Sequence, residues 1–515
     1  MNNSDNTILG HPAGLFTLFF TEMWERFSYY GMRALLVLFL VSDIADGGWE
    51  WTNAEALKLY GMYTGLVYLT PIFGGLLADK LIGFRKAVLL GAILMTAGHA
   101  CMAIETPISF YIGLGLLIIG NGAFKPNVSS IVGGLYDQGS PKKDGAYTIF
   151  YMGINAGAFL GILLCGYVGE KLSWSHGFGL AGIFMFLGMV QFWFGQGIFG
   201  DIGLSPVKAA ERLAEDEANG VVKVESTEEV VTPKVERDRL IVIGILAFFT
   251  IFFWMAFEQA GGSMTIFAKD FTDRELSGAG ASIFKIVNAA ITIVPLGIIT
   301  WVLIMLFRKT YKDYKISVIA LAISFSIIWW IAIWMLNKEF SADNAEVPAS
   351  WFGVLNSLFI ILLAPIFSKI WESKYNPSAA VKFGLGLILL GAGFGALAFG
   401  ALPITGEGVV TVSMAWLIIA YALHTIGELI LSPVGLSYVS KLSPKRLMSL
   451  MFGVWFLSSA VANYLAGLTG SLVDSISENY SLSTFFMIFT LLPAFAGLIL
   501  IILNGWLKKK MHGIR

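Results

Sequence analysis

The residues with the most chemistry in them crowd into one stretch: Glu22, Glu25, Arg26, Tyr29, Tyr30 and Arg33 follow one another at spacings of one or three. At roughly 100° per residue of a helix they share one arc, with Trp24, Phe27 and Leu35 elsewhere. Two carboxylates beside a guanidinium can trade ion pairs for protons, and tyrosines with a second guanidinium can donate to an anion. The surrounding residues are oily, so this chemistry sits inside what reads as a membrane span. A charge at the bilayer centre costs about 2.5 to 3.5 kcal/mol even on the lenient insertion scale. A face carrying several charges must therefore turn towards a partner helix or a watery cavity.

Other spans repeat the pattern. Gly120-Asn121-Gly-Ala-Phe-Lys125-Pro126-Asn127 puts Lys125 one turn from Asn121, too far from the loop at Asp137 to snorkel comfortably, so an interior ion pair with Glu22 or Glu25 is expected. Glu258 and Gln259 close a later apolar run, and Tyr421, His424, Glu428 and Ser432 line one face of another. His424 reads as a packing histidine. A lone intramembrane carboxylate such as Glu428 is a functional candidate by default, suited to reversible protonation.

The elements that must position these residues follow from composition. With 56% hydrophobic and 13% charged residues and a mean hydropathy of +0.74, the chain falls far from the ~25% charged content of soluble domains. It belongs in a bilayer. A net charge of -1, with basic residues in short loops and no patch, argues against nucleic acid. Cys101 and Cys165 lie in apolar runs and read as buried thiols. His11, His99, His176, His424 and His512 are scattered, with no metal set and no nucleophile–base pair, so an enzyme is not expected.

Apolar runs near 15–40, 57–78, 87–104, 107–134, 146–168 and 177–200 each approach the ~20 residues that cross a ~30 Å core. Eight more follow near 239–268, 283–307, 316–337, 350–371, 380–402, 412–438, 447–473 and 484–507, about fourteen in all. Basic loops alternate with acidic or neutral ones, which puts both termini in the cytoplasm. Residues 201–238 turn abruptly polar, with Pro206 and Pro233 as punctuation and a short amphipathic helix expected at 206–218. The predicted organisation is a six-helix bundle over 1–200, a cytosolic linker over 201–238 and a second bundle over 239–515 with an extra helix pair. The fold class is all-α integral membrane, in the major facilitator architecture of two six-helix bundles plus two extra spans. In support, Gly74-Gly-Leu-Leu-Ala-Asp79-Lys-Leu-Ile-Gly83-Phe-Arg85 resembles the loop signature between the second and third helices of that superfamily, with Asp79 and Arg85 expected to latch helix ends.

Six motifs in order, Glu22-x-x-Glu25-Arg26-Phe-Ser-Tyr-Tyr-Gly, Gly-Asn-Gly-x-Phe-Lys125-Pro-Asn, Phe257-Glu258-Gln259, Val354-Leu355-Asn356 through Pro365, Gly427-Glu428-Leu-x-Leu-Ser432-Pro and Met451-x-x-x-Trp455-Phe-Leu-Ser, resemble those of proton-dependent oligopeptide transporters. The likeness spans nearly the whole chain. It implies import of di- and tripeptides across the cytoplasmic (inner) membrane by a monomer, driven by the proton gradient without a cofactor. It implies a cavity lined by helices 1, 2, 4, 5, 7, 8, 10 and 11 of the family's core twelve. Arg33 and Lys125, with Tyr29, Tyr30 and Tyr68, would receive the peptide carboxylate; Glu428, with Asn155 and Asn356, would receive the ammonium. Ser432 joins that lining, and Trp254 and Trp455 supply broad walls. Glu22, Glu25, Arg26, Lys125, Glu258 and Glu428 form the proton-coupling set.

The chain departs from the family pattern twice. Animal relatives carry a histidine in the second helix, where this chain reads Leu59-Tyr60-Gly61-Met62-Tyr63-Thr64, so carboxylates must handle the proton. Glu258 and Asn356 lie about a hundred residues apart, which by motif makes 283–337 the extra pair; by position alone, 239–268 and 283–307 would be. Other readings of the same fold are transport of nitrate or another small metabolite, or drug export.

Overall fold

The computed structural model describes residues 7–137, 140, 142–207, 211, 232–373, 376–404 and 410–514. The first six long helices are α1 (Ala13–Val41), α2 (Asn53–Leu77), α3 (Phe84–Met102), α4 (Pro107–Gly134), α5 (Lys143–Lys171) and α6 (Trp174–Gly195). After the linker come α7 (Pro233–Phe257), the short α8 (Ser263–Asp270), α9 (Gly278–Thr310) and α10 (Lys315–Ser341). The chain ends with α11 (Val354–Glu372), α12 (Ala379–Gly400), α13 (Ala415–Leu442), α14 (Met448–Gly470), the short α15 (Val473–Asn479) and α16 (Leu482–Lys510). Among the described residues, twelve segments are long and apolar enough to cross a membrane. α1, which carries its own charges, and α3, which opens with Arg85 and Lys86, are further long helices of 29 and 19 residues.

Local chemistry sets the helix ends. Thr106 and Ser109 form a reciprocal capping box at α4, and the Ser173 and Ser481 side chains accept from His176 N and Thr484 N at the starts of α6 and α16. Pro233 occupies the first turn of α7, where its missing N–H has no partner to lose. The helix therefore starts inside the stretch read as linker, because Asp238 is bound by Lys510 Nζ at 2.6 Å and His512 Nε2 at 3.0 Å. Most of the amphipathic helix expected at 206–218 lies outside the described residues.

Two compact units emerge, Met1–Leu36 with Thr70–Val222 and Arg274–Trp351, and Val37–Leu69 with Lys223–Asp273 and Phe352–Arg515. They divide the chain differently from the 1–200 and 239–515 halves, because the 278–341 hairpin packs with the N-terminal helices and residues 37–69 group with the C-terminal ones. Ser317 Oγ on α10 donates to Gln191 O on α6 at 2.8 Å, and the Phe325 ring meets Phe20 and Trp24 edge-on. The hairpin is closed at its base by β1 (Glu275–Leu276) pairing antiparallel with β2 (Ala345–Glu346). Val347 N donates to Arg274 O at 3.0 Å, and Arg274 Nη1 donates to Val347 O at 2.7 Å. Helices in each unit cross where glycines let backbones touch: a methyl at Gly91 would come within 2.6 Å of Gly120 O, and one at Gly61 within 2.5 Å of Gly467 Cα.

Candidate functional site

Each unit buries its own polar set. In the first, the apolar flanks of α1 hold Glu22, Glu25 and Arg26 at 2%, 0% and 3% exposure. Arg26 Nε donates to Glu22 Oε1 at 2.8 Å and lies 2.7 Å from Glu25 Oε2. Asn121 Nδ2 on α4 donates to Glu25 Oε1 at 2.6 Å. Lys125, half-buried one turn further along α4, places its charge in the field of Glu25. Two carboxylates thus face two cations. Among the described residues, Glu22 Oε2 and Arg26 Nη2 are buried without a hydrogen-bond partner, so the set has unused bonding capacity away from water.

The rest of the α1 stripe divides by depth. Tyr29 is buried, with the Arg26 guanidinium 5.8 Å above its ring centroid. Tyr30 and Arg33 are half-buried, the guanidinium standing 5.8 Å over the Tyr30 ring. Asn155 on α5 is half-buried and donates to Tyr151 O at 3.0 Å, along its own helix. Arg85 Nε donates to Ile202 O at 2.6 Å and its Nη2 to Gly200 O, so it ties the start of α3 to the chain leaving α6.

In the second unit, Asn356 Nδ2 on α11 donates to Glu428 Oε2 at 2.9 Å and to Thr425 Oγ1 at 3.1 Å on α13. Glu258 lies where α7 breaks into a tight turn over Glu258–Gly261 before α8 resumes. Tyr60 OH donates to Glu258 Oε2 at 3.4 Å, and the Glu258 charge reaches Glu428. Polar side chains satisfy the broken backbone: Tyr421 OH and Thr265 Oγ1 donate to Ala260 O at 3.2 and 3.0 Å. Gln259 Nε2 donates to Ala466 O at 2.8 Å, and Ser263 Oγ donates to Gln259 Oε1 at 2.6 Å. Trp254 is half-buried and edge-on to Phe253 and Phe257. Trp455 is buried against Gly435 and edge-on to Phe383. Tyr68 and Ser432 are half-buried. His424 packs against Phe394, ring centroids 4.5 Å apart.

Asn121, Tyr60, Thr425 and Gln259 belong to these sets but not to the site residues expected from sequence. The one available signal was helical register: Asn121 precedes Lys125 by four, and Thr425 precedes Glu428 by three.

Twelve candidate spans among the described residues, buried charges and a helix broken at a carboxylate define a multi-pass membrane protein of the major facilitator fold. A model of the POT family matches residues 85–214 and 319–488, and the chain belongs to that family. It is 32% identical to a di-/tripeptide transporter of Lactococcus lactis subsp. cremoris, over 100% of this chain and 99% of the relative. It is 34% identical to an uncharacterized transporter, YclF, of Bacillus subtilis, over 98% and 96% of the two chains. The crystal structure of a peptide transporter POT in complex with sulfate superposes with a TM-score of 0.75 at 31% identity, covering 99% of this chain and 98% of that one.

Proposed function

We propose that this protein imports di- and tripeptides with protons across the cytoplasmic membrane by alternating access, as a monomer without a cofactor and with both termini in the cytoplasm. The observation that carries this reading is the buried Glu22–Arg26–Glu25–Asn121 set inside a membrane span. An ionisable cluster there is costly to bury, which makes it a functional candidate, and proton relays are one of the uses of such clusters. Protonation of either carboxylate leaves Arg26 and Lys125 in excess of negative charge. A basic group is then released to take a peptide carboxylate or to let helices move.

Arg33 and Lys125 receive the peptide carboxylate, with hydroxyls of Tyr29, Tyr30 and Tyr68 as further donors. Glu428 receives the peptide ammonium, steered by Asn356, with Asn155 assisting and Ser432 nearby. Trp254 and Trp455 offer flat apolar walls that tolerate varied side chains. Glu258, at the break in α7, couples through its charge to Glu428.

The test is uptake of di-alanine into proteoliposomes under an inward proton gradient. Glu22→Gln, Glu25→Gln or Glu428→Gln is expected to abolish accumulation while at least one variant keeps peptide counterflow, which needs no gradient. Full proton-driven uptake by all three would overturn the scheme.

A further inference from the structure

A groove of about 570 Å³ opens between α9 and α10, the helix pair that the transport scheme leaves unused. Its walls are fixed. Phe307 stacks on Tyr311 at 4.7 Å, while Phe325 packs edge-on against Phe20 and Trp24 on its other side. Trp329 Nε1 donates to Thr300 Oγ1 at 3.0 Å, and Thr300 Oγ1 donates to Leu296 O at 2.7 Å. Those polar groups are thereby satisfied within the protein, and the surface left for an occupant is apolar along its length. Such a surface on a membrane-spanning pair is suited to a hydrocarbon chain.

One end differs. Arg308 is the single charged residue in the lining, it is exposed, and it opens the basic run Arg308-Lys309-Thr-Tyr-Lys312-Asp313-Tyr-Lys315. One exposed cation in the lining of an apolar groove, at the head of a segment with four cations against one carboxylate, asks for an occupant with a negatively charged head and an oily body. We infer that the α9–α10 groove binds an anionic phospholipid, its acyl chain between Phe307, Phe325 and Trp329 and its phosphate at Arg308. The inference rests on membrane embedding and does not depend on what the protein transports.

Native mass spectrometry of the full chain in mild detergent tests it, with phosphatidylglycerol and phosphatidylcholine of the same acyl chains added in turn. The wild type is expected to retain phosphatidylglycerol about fivefold better, the effect of roughly one basic residue at an anionic surface. Arg308→Gln should remove that preference and leave phosphatidylcholine unchanged, whereas Ala322→Phe, which fills the groove, should reduce retention of both. Lys338→Gln, at the other end of α10, should behave as wild type. Equal retention of the two lipids by the wild type, or wild-type retention by both groove variants, overturns the proposal. Displacement of phosphatidylglycerol by an equal concentration of inorganic phosphate also overturns it, since the site would then be one for a free anion.

Discussion

Arg26 approaches both carboxylates of α1 through one atom, Nε, at 2.8 and 2.7 Å; its N–H donates to Glu22 Oε1, so Glu25 is held by charge and by the hydrogen bond from Asn121. Asn121→Ala leaves Glu25 Oε1 buried without that donor. A lost partner of this kind costs about 1 to 3 kcal/mol, so the variant should melt several degrees below wild type in a detergent thermal scan. An unchanged melting point would show that the bond adds nothing. In the second unit, Asn356→Ala frees Glu428 Oε2 without removing its charge. Weaker apparent affinity for di-alanine is expected with the proton requirement intact, and a lost proton requirement with unchanged affinity would reverse the roles assigned to the pair. The charged members of both sets were legible in the sequence because a Glu or Arg among leucines and phenylalanines is costly there and needs a reason. Asn121, Thr425 and Tyr60 were not, because amides and hydroxyls are ordinary tenants of apolar helices and only a neighbouring helix turns them into partners.

At the scale of elements, span positions were legible to within a few residues, since an apolar run of about twenty residues has one stable use in a bilayer. The grouping of α9 and α10 with the N-terminal helices was not. It depends on Ser317 reaching the Gln191 carbonyl and on Phe325 fitting beside Trp24, contacts without a periodic signature. Glu258-Gln-Ala-Gly-Gly marks the end of an apolar run in the sequence, but the resumption of helix at Ser263 was hidden, because it depends on the hydroxyls of Tyr421 and Thr265 bonding the Ala260 carbonyl. Helix crossings yield a direct prediction. Gly61→Ala places a methyl 2.5 Å from Gly467 Cα, where backbone and not a side-chain tip must yield. A destabilisation of about 1 to 3 kcal/mol is expected from detergent unfolding. Wild-type stability would mean that α2 and α14 separate at no cost.

The base of the α9–α10 hairpin carries a pH dependence. Burial opposes the charge on Glu346, but hydrogen bonds and charges from Lys171 and Arg274 outweigh it and hold the carboxyl below its ordinary range. A depressed folded value contributes stability that is present above the unfolded value, about 4.3, and is lost as pH falls through the folded one. Wild type and Glu346→Gln should therefore differ in melting temperature at about pH 6 and converge as the pH falls towards about 3. A gap that stays constant across that window would remove the ion pairs as its source.

At the scale of the whole molecule, the proposed coupling carries an energetic signature separate from any single residue. A dipeptide at neutral pH is a zwitterion without net charge, so one proton per peptide moves one positive charge inward. A membrane potential of about 100 mV then contributes about 2.3 kcal/mol, which supports roughly fiftyfold accumulation, and each pH unit adds about 1.4 kcal/mol, or another tenfold. These terms should appear in proteoliposomes whose potential is set by a potassium gradient and valinomycin, with steady-state di-alanine measured inside and out. The expected ratio rises with interior-negative potential at fixed pH, and rises again when the exterior is acidified at fixed potential. Uptake that responds to the pH gradient but ignores potential would require a compensating charge to move with the proton, and the buried carboxylates would then have to change place in the field rather than stay with α1. Uptake indifferent to both would leave the Glu22–Glu25–Arg26 set as an ion cluster that locks helices, with no part in driving transport.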